Sequence, residues 1–380
     1  MTPEFLEMAE RIGARLCRDA LWSGDRCNWT GEFMEGESAV YGSMRPGLYD
    51  GTSGIALFLW RLATATGDRI FRLTALGATR QALSKMPVPG CGVYSGGLGI
   101  LLAACEILGE CDEAAVLRQA APDRALLDII SGSAGAIGAL LELHRKQGGS
   151  RWIECAAAHG DLLVAEAVRA DNGWSWKTIA GSRNLTGLSH GTAGIGWALI
   201  ELGKATGEAR FREAGIEAFR YERNCFNQSA RNWPDFRHDP PTFPVLWCHG
   251  AGGIGFSRLR AWQILGDEES LAEARAALAT VSDALPSTGG FCLCHGVAGN
   301  ADLLLYGAQV LGEERWRAIA ETAARQGIER YERRSVPWPG GLPGQNELPG
   351  LMLGLAGIAY FYLRLADPAV PTVLLAGLSD

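Results

Sequence analysis

Residues 186–208 read TGLSHGTAGIGWALIELGKATGE. A Gly-x-x-Gly pair, Gly191 and Gly194, opens an apolar run, and Gly207 followed by Glu208 ends it. Such a run predicts a helix apolar enough to be enclosed on all sides. Its stop is a glycine that accepts the left-handed C-cap conformation, and an acidic residue then starts the next helix. The unit recurs seven times, with first glycines at 51, 96, 132, 191, 250, 296 and 354. Six of the runs end at a glycine, and five of those glycines are followed at once by Asp or Glu. The intervals of 36 to 59 residues leave room for a second helix in each repeat.

The intervening segments supply that helix. SLAEARAALATVSDAL (270–285) and RWRAIAETAARQGIERYERR (315–334) have amphipathic helical patterning. Strand signals are sparse, so the class is all-α. Seven apolar helices obtain neighbours on every side by closing into a ring inside an outer ring. The expected fold is an α/α toroid of seven inner and seven outer helices, with an open superhelix of helix pairs as the alternative. One domain is expected over 1–380, with 1–45 as an N-terminal outer helix and a loop leading into the toroid.

Composition narrows the function. With 47% hydrophobic residues the chain can build a large core, and its formal charge of −7 argues against a nucleic-acid partner. No apolar run reaches the 18 residues of a membrane span, and the N-terminal MTPEFLEMAERIGARLC lacks the pattern of a secretion signal. A cytoplasmic location follows as the expectation, and in that reducing compartment most of the ten cysteines read as small buried side chains. Cys17, Cys27, Cys91, Cys105, Cys111, Cys155 and Cys225 fall in that group. So does Cys292, because the spacing Cys292-Leu293-Cys294 is tight for chelation by both thiols.

All seven inner helices should start at the same end of the barrel, so their free N–H groups should converge on one mouth. The residues directly before the first glycines are Asp50, Ser95, Ser131, His190, His249, His295 and Leu353. One position earlier stand Tyr49, Tyr94, Ile130, Ser189, Cys248, Cys294 and Met352. Thiols and imidazoles in equivalent slots form the donor set that zinc prefers, and a catalytic zinc takes three protein ligands and keeps one position open. Cys248, Cys294 and His295 are the expected ligands, with His249 lining the site and Asp50 facing the same mouth as a substrate contact. His190 is the candidate general acid or base, with Asp128 to orient it or to cap the following helix. His144, His159 and His238 read as surface residues. The string Gly250-Ala-Gly252-Gly253-Ile-Gly255 matches a dinucleotide fingerprint in letters only, since no βαβ context surrounds it.

These residues resemble the lanthionine synthetase C-like cyclases. The resemblance rests on LYDGTSGIALFL (48–59), DIISGSAGAIGALLEL (128–143), GLSHGTAGIGWAL (187–199), WCHGAGGIG (247–255), LCHGVAGNADLLL (293–305) and PGLMLGLAGIAYFYLRL (349–365). GDRCNWTG (24–31), RNWPDFR (231–237) and DPAVPTVLLAGL (367–378) are similar to the cyclase domain of class II lanthipeptide synthetases. The resemblance implies a toroid, a zinc ion on Cys248, Cys294 and His295, and acid–base residues at His190 and Asp128. It also implies formation of (methyl)lanthionine rings in a ribosomally made peptide dehydrated at Ser or Thr. The chain given has no room for a dehydratase, so it is expected to be a free-standing cyclase served by a separate dehydratase, or an excised domain. Four other readings stay open: a non-catalytic zinc-containing peptide binder, a zinc enzyme adding glutathione to dehydroamino acids, a protein prenyltransferase, and a glycosidase using carboxylates such as Asp50, Asp128, Asp235 or Glu347. The arginines Arg330, Arg333 and Arg334 are a candidate docking patch for a leader peptide, against the plainer reading of a solvated helix face.

Overall fold

The computed structural model describes residues 2–35, 38–342 and 347–376. The end of the motif DPAVPTVLLAGL (367–378) therefore lies outside the described residues. Among the described residues the helices alternate as the repeat requires. The inner set is α2 (Thr52–Thr66), α4 (Gly97–Leu108), α6 (Ser133–Gln147), α8 (Thr192–Thr206), α10 (Ala251–Leu265), α12 (Val297–Leu311) and α14 (Leu355–Ala366). The outer set is α1 (Pro3–Arg18), α3 (Arg69–Leu83), α5 (Glu113–Gln119), α7 (Ser150–Glu166), α9 (Ala209–Cys225), α11 (Glu268–Ala284) and α13 (Glu314–Gly327). Each inner helix touches the next, and α14 returns to α2, so the ring is closed and the fold is an α/α toroid. Outer helix α1 completes the second layer by packing on α14.

Residues 21–43 are more ordered than the expected loop: two antiparallel hairpins, β1 (Leu21–Ser23) with β2 (Arg26–Asn28) and β3 (Thr30–Glu35) with β4 (Ser38–Ser43). A third, β5 (Val168–Ala170) with β6 (Gly173–Ser175), links α7 to the loop before α8.

The Gly-x-x-Gly pair has a steric cause. The first glycine is the N-cap of every inner helix, and the loop before it folds back onto the first turn. A Cβ on the second glycine would overlap the carbonyl oxygen six residues earlier in all seven repeats, as Gly99 does with Val93 and Gly357 with Leu351. The folded-back loop also corrects one expectation. The N–H groups at the helix starts are not free: Thr52 donates to Arg45 O at 2.8 Å, Ser133 to Leu126 O at 3.0 Å and Thr192 to Leu185 O at 3.0 Å. Buried donors must find partners, and here the loop carbonyls supply them.

A second backbone pattern joins the repeats. Tyr49 N–H donates to Tyr94 O at 2.8 Å and Tyr94 N–H to Ile130 O at 3.2 Å. Ser189 N–H donates to Cys248 O at 3.2 Å, Cys248 to Cys294 O at 3.4 Å, Cys294 to Met352 O at 2.9 Å and Met352 to Tyr49 O at 2.7 Å. These residues all stand two before a first glycine, so one slot of the repeat laces the mouth. Among the described residues no backbone bond joins Ile130 to Ser189, and the lacing has its break there.

About ten residues further along each inner helix, roughly 15 Å down its axis, another repeat slot carries charge. Seven residues after the second glycine come Arg61, Glu106, Glu142, Glu201, Arg260, Tyr306 and Arg364. Arg61 pairs with Glu106 at 2.8 Å and Arg260 with Glu201 at 2.5 Å, while Arg364 pairs with Asp302. The C-terminal segment fills the lumen: Leu374 and Leu375 are fully buried, and Tyr94 Oη donates to Val373 O at 2.7 Å.

Two further expectations are corrected. Cys105 and Cys111 form a disulfide, because the left-handed turn at Gly109 folds the chain back and brings their Cα atoms to 4.7 Å. His159 is wholly buried in α7, bonded to Ser133 Oγ and Ala120 O, each at 3.1 Å. His238 is exposed and His144 half-buried.

The Gly99→Ala variant is expected to lose about 1–3 kcal/mol of unfolding free energy by overpacking. Gly289→Ala, where a Cβ meets nothing within 4 Å, is the control that stays unchanged in denaturant titrations. Burial pushes the His159 imidazole from its ordinary 6.5 down to about 4, against the raising effect of the Ala120 carbonyl. The unfolded chain thus takes up a proton that the folded chain refuses. His159's contribution is complete above pH 6.5 and is lost as pH falls to about 4. Unfolding titrations across that range should show a shallower decline for His159→Gln than for wild type.

Candidate metal centre and proton-transfer pair

The loops before α10 and α12 bring two equivalent cysteines side by side. The ligand atoms of Cys248, Cys294 and His295 all lie within 4.8 Å of one another. His295 Nε2 is 2.7 Å from Gly341 O. A carbonyl only accepts, so Nε2 carries the proton and Nδ1 is the nitrogen offered to a metal, its ring fixed by that bond. Tyr49 Oη donates to Cys294 Sγ at 2.9 Å. Tyr49 was missing from the sequence-derived site, yet it occupies the same repeat slot as the two cysteines.

The electrostatics are those of a site built for a cation. Hydrogen bonding to Cys294 holds the Cys248 thiol well below its ordinary value, helped by His295 and His249. The Cys294 thiol is pushed up by that shared hydrogen bond and by burial. Two adjacent thiolates repel, and a divalent cation between them removes the penalty. His295 is raised by its bond to Cys248. Burial pushes Cys292 up to about 12, as suits an inert core thiol.

Across the mouth, Asp128 Oδ2 accepts from His190 Nδ1 at 2.6 Å, while Asp128 Oδ1 accepts from Ser131 N–H at 2.9 Å. The carboxylate thus holds the His190 ring and closes a turn at Ser131, but it does not cap α6, whose N-cap is Gly132 without a side-chain cap bond. Because a carboxylate accepts, His190 carries its proton on Nδ1 and turns Nε2 away from Asp128. The pair bridges the gap between Ile130 and Ser189, where the backbone lacing is broken. Ser189 Oγ donates to Cys248 O at 3.0 Å, so the His190 loop rests directly on the loop of a metal-site cysteine.

His249 is 1% exposed, and neither ring nitrogen has a hydrogen-bond partner among the described residues. Burial holds it below its ordinary value, hence neutral near pH 7. Its ring centroid is 6.3 Å from that of His190, and its Nδ1 lies 3.9 Å from Asp235. Asp50 sits at the rim against Gly350, its carboxyl raised by burial. The carboxylates of a glycosidase reading are otherwise engaged: Asp235 by Arg237 at 2.6 Å, Glu347 by Arg15 and by the Trp338 amide. Arg333 and Arg334 both pair with Glu329, and Arg330 lies over Tyr331, an arrangement that suits a solvated face.

Cobalt(II) added to the metal-free protein is expected to give a thiolate-to-metal charge-transfer band. The band should vanish in Cys248→Ala and persist in Cys292→Ala.

Residues 42–375 match the family model described as lanthionine synthetase C-like protein. A lacticin 481/lactococcin biosynthesis protein of Lactococcus lactis subsp. lactis is 22% identical over 90% of this chain and 38% of its own length. A zebrafish (Danio rerio) glutathione S-transferase, LANCL1, is 26% identical over 48% of this chain and 43% of its own. The chain therefore spans less than half the length of these curated relatives. Among solved structures, nisin cyclase superposes with a TM-score of 0.63 at 15% identity, covering 85% of this chain and 89% of that one. A glycoside hydrolase family 76 mannosidase from Bacteroides thetaiotaomicron reaches 0.53 at 12% identity, covering 96% of this chain and 98% of that one. At such identities the superpositions speak for the toroid alone, whereas the family match runs through every loop that carries a site residue. The chain is a member of the lanthionine synthetase C-like family.

Proposed function

We propose that the protein is a zinc-dependent cyclase that closes (methyl)lanthionine thioether rings in a ribosomally made peptide. The single observation that carries this is a Cys–Cys–His cluster within 4.8 Å, faced by a His–Asp pair on the adjoining loop. Two thiolates and an imidazole suit zinc, and His249 stands outside the cluster, which leaves a fourth position for a substrate group. A bound zinc ion would supply a Lewis acid that favours the thiolate of a substrate cysteine near neutral pH.

The reaction adds that sulfur to the β-carbon of a dehydroalanine or dehydrobutyrine. A C–S bond forms, the S–H bond is lost, and a proton is delivered to the α-carbon. His190 is the group for that proton transfer, since Asp128 fixes its tautomer and stabilises its charged form. His249, neutral and unpaired, is a hydrogen-bond partner for a substrate amide, and Asp50 a contact at the rim. Dehydrated residues must reach this site ready-made, so a separate dehydratase is the proposed partner and the dehydrated precursor peptide the substrate. No helix among the described residues is long and apolar enough to cross a membrane.

Purified protein should hold about one zinc per chain, lost in Cys294→Ala. With a dehydrated, cysteine-containing peptide, turnover should leave the mass unchanged while alkylatable thiols disappear. His190→Ala should keep its zinc and lose about 10²–10⁴-fold in rate. A mass gain of one glutathione would instead identify the thiol-adding reading that the zebrafish relative's name suggests. Tight peptide binding by zinc-loaded protein without loss of thiols would identify a non-catalytic binder.

A further inference from the structure

We propose that Glu222, on outer helix α9, is a positioning residue that holds the His190 loop in its reactive geometry. Its Oε1 accepts the N–H of Gly187 at 2.8 Å and the N–H of Ala193 at 2.9 Å. One oxygen therefore pins both ends of the segment that carries Leu188, Ser189 and His190. The side chain is fully buried, and its Oε2 accepts from Arg258 Nη2 at 2.9 Å. Arg258 is itself fully buried, lies 3.6 Å from the Phe219 ring centroid, and pairs with Glu273 at 2.5 Å.

The arrangement is expensive. Burying a carboxylate costs several kcal/mol unless its partners are well placed, and a neutral side chain can serve the same purpose. In the next repeat it does: Asn232 Oδ1 accepts from Ala251 N–H at 2.9 Å. The carboxylate appears at the repeat whose loop receives no backbone bond from Ile130, so the His190 loop lacks the restraint that its neighbours have. Glu222 replaces that restraint from outside the ring. Burial pushes its carboxyl up to about 7, against Arg258 and the Gly187 amide, and Oε1 accepts the two N–H groups whether the carboxyl is charged or neutral.

The inference rests on His190 acting in proton transfer, and its test has readouts that do not require turnover. In Glu222→Ala, zinc content should match wild type while kcat falls about 10²-fold with KM little changed, as expected for a displaced reacting group. The Nδ1–H proton of His190, followed by NMR, should lose its hydrogen-bonded downfield position as its bond to Asp128 loosens. Glu222→Gln, whose carbonyl oxygen accepts the same two N–H groups, should restore both. A folded, zinc-loaded Glu222→Ala protein with wild-type kcat and an unchanged His190 Nδ1–H resonance would overturn the proposal. If Glu222→Ala does not fold, hydrogen exchange in the wild type decides: Gly187 and Ala193 amides as protected as the body of α8 support it, and exchange at free-loop rates overturns it. Failure of the wild type to form thioethers would defeat the cyclase reading and leave the NMR and exchange results standing.

Discussion

The backbone lacing at the mouth is the constraint from which the site follows. Six hydrogen bonds pass from repeat to repeat through one slot, two residues before each first glycine. They are possible only because each loop lies flat against its helix start, and the second glycine permits that by having no Cβ. Away from the break, a residue in that slot is thus fixed at its backbone on both sides. Cys248 and Cys294 occupy two consecutive links, so their sulfurs meet through the geometry of the ring. Preorganisation of this kind lets a metal site hold its shape before the metal arrives.

The break in the lacing is where the proposed proton-transfer pair sits. Between Ile130 and Ser189 the ring is spanned by Asp128 and His190, a side-chain bond in place of a backbone one. A side-chain bridge can reorganise as protons come and go, and a peptide bridge cannot. On the proposed function, the rigid links fall at the metal ligands and the one side-chain link at the proton-transfer pair. The slot charges from Arg61 to Arg364 lie about ten residues down the inner helices from the mouth, whereas Arg258 reaches the His190 loop through Glu222.

Much of this was legible in the sequence because the repeat is strict where sterics are strict. The glycine pairs marked all seven inner helices, and counting back from them placed Cys248, Cys294, His295 and His190 on one face. The same count pointed to Tyr49, but a tyrosine in an apolar context carries no chemical signature until its hydroxyl is seen on a sulfur. Counting forward finds the paired charges from Arg61 to Arg364, hidden because isolated charges in apolar runs read as noise. Glu222 had no such signal: it lies in a polar outer helix, and its role depends on which helix packs behind the His190 loop. His159 was misread because a histidine in a helix shows no sign of burial until Ser133 and the Ala120 carbonyl are seen to satisfy it. The Cys105–Cys111 bridge depends on the turn at Gly109, and the hairpins between residues 21 and 43 are too short to stand out by alternation.

The packing of α1 on α14 sets an order of events during synthesis. Helix α1 has as its main partner the inner helix α14, more than 300 residues later in the chain. The part of its apolar face that meets α14, where Phe5 lies against Tyr362, stays uncovered until that helix is made, while α2 and α3 touch the rest earlier. Ring closure and covering of that face are then one late event, and Cys294 gains its backbone bond from the Met352 carbonyl only then. The backbone frame around the candidate metal cluster is therefore finished only after the residues near Met352 have been made.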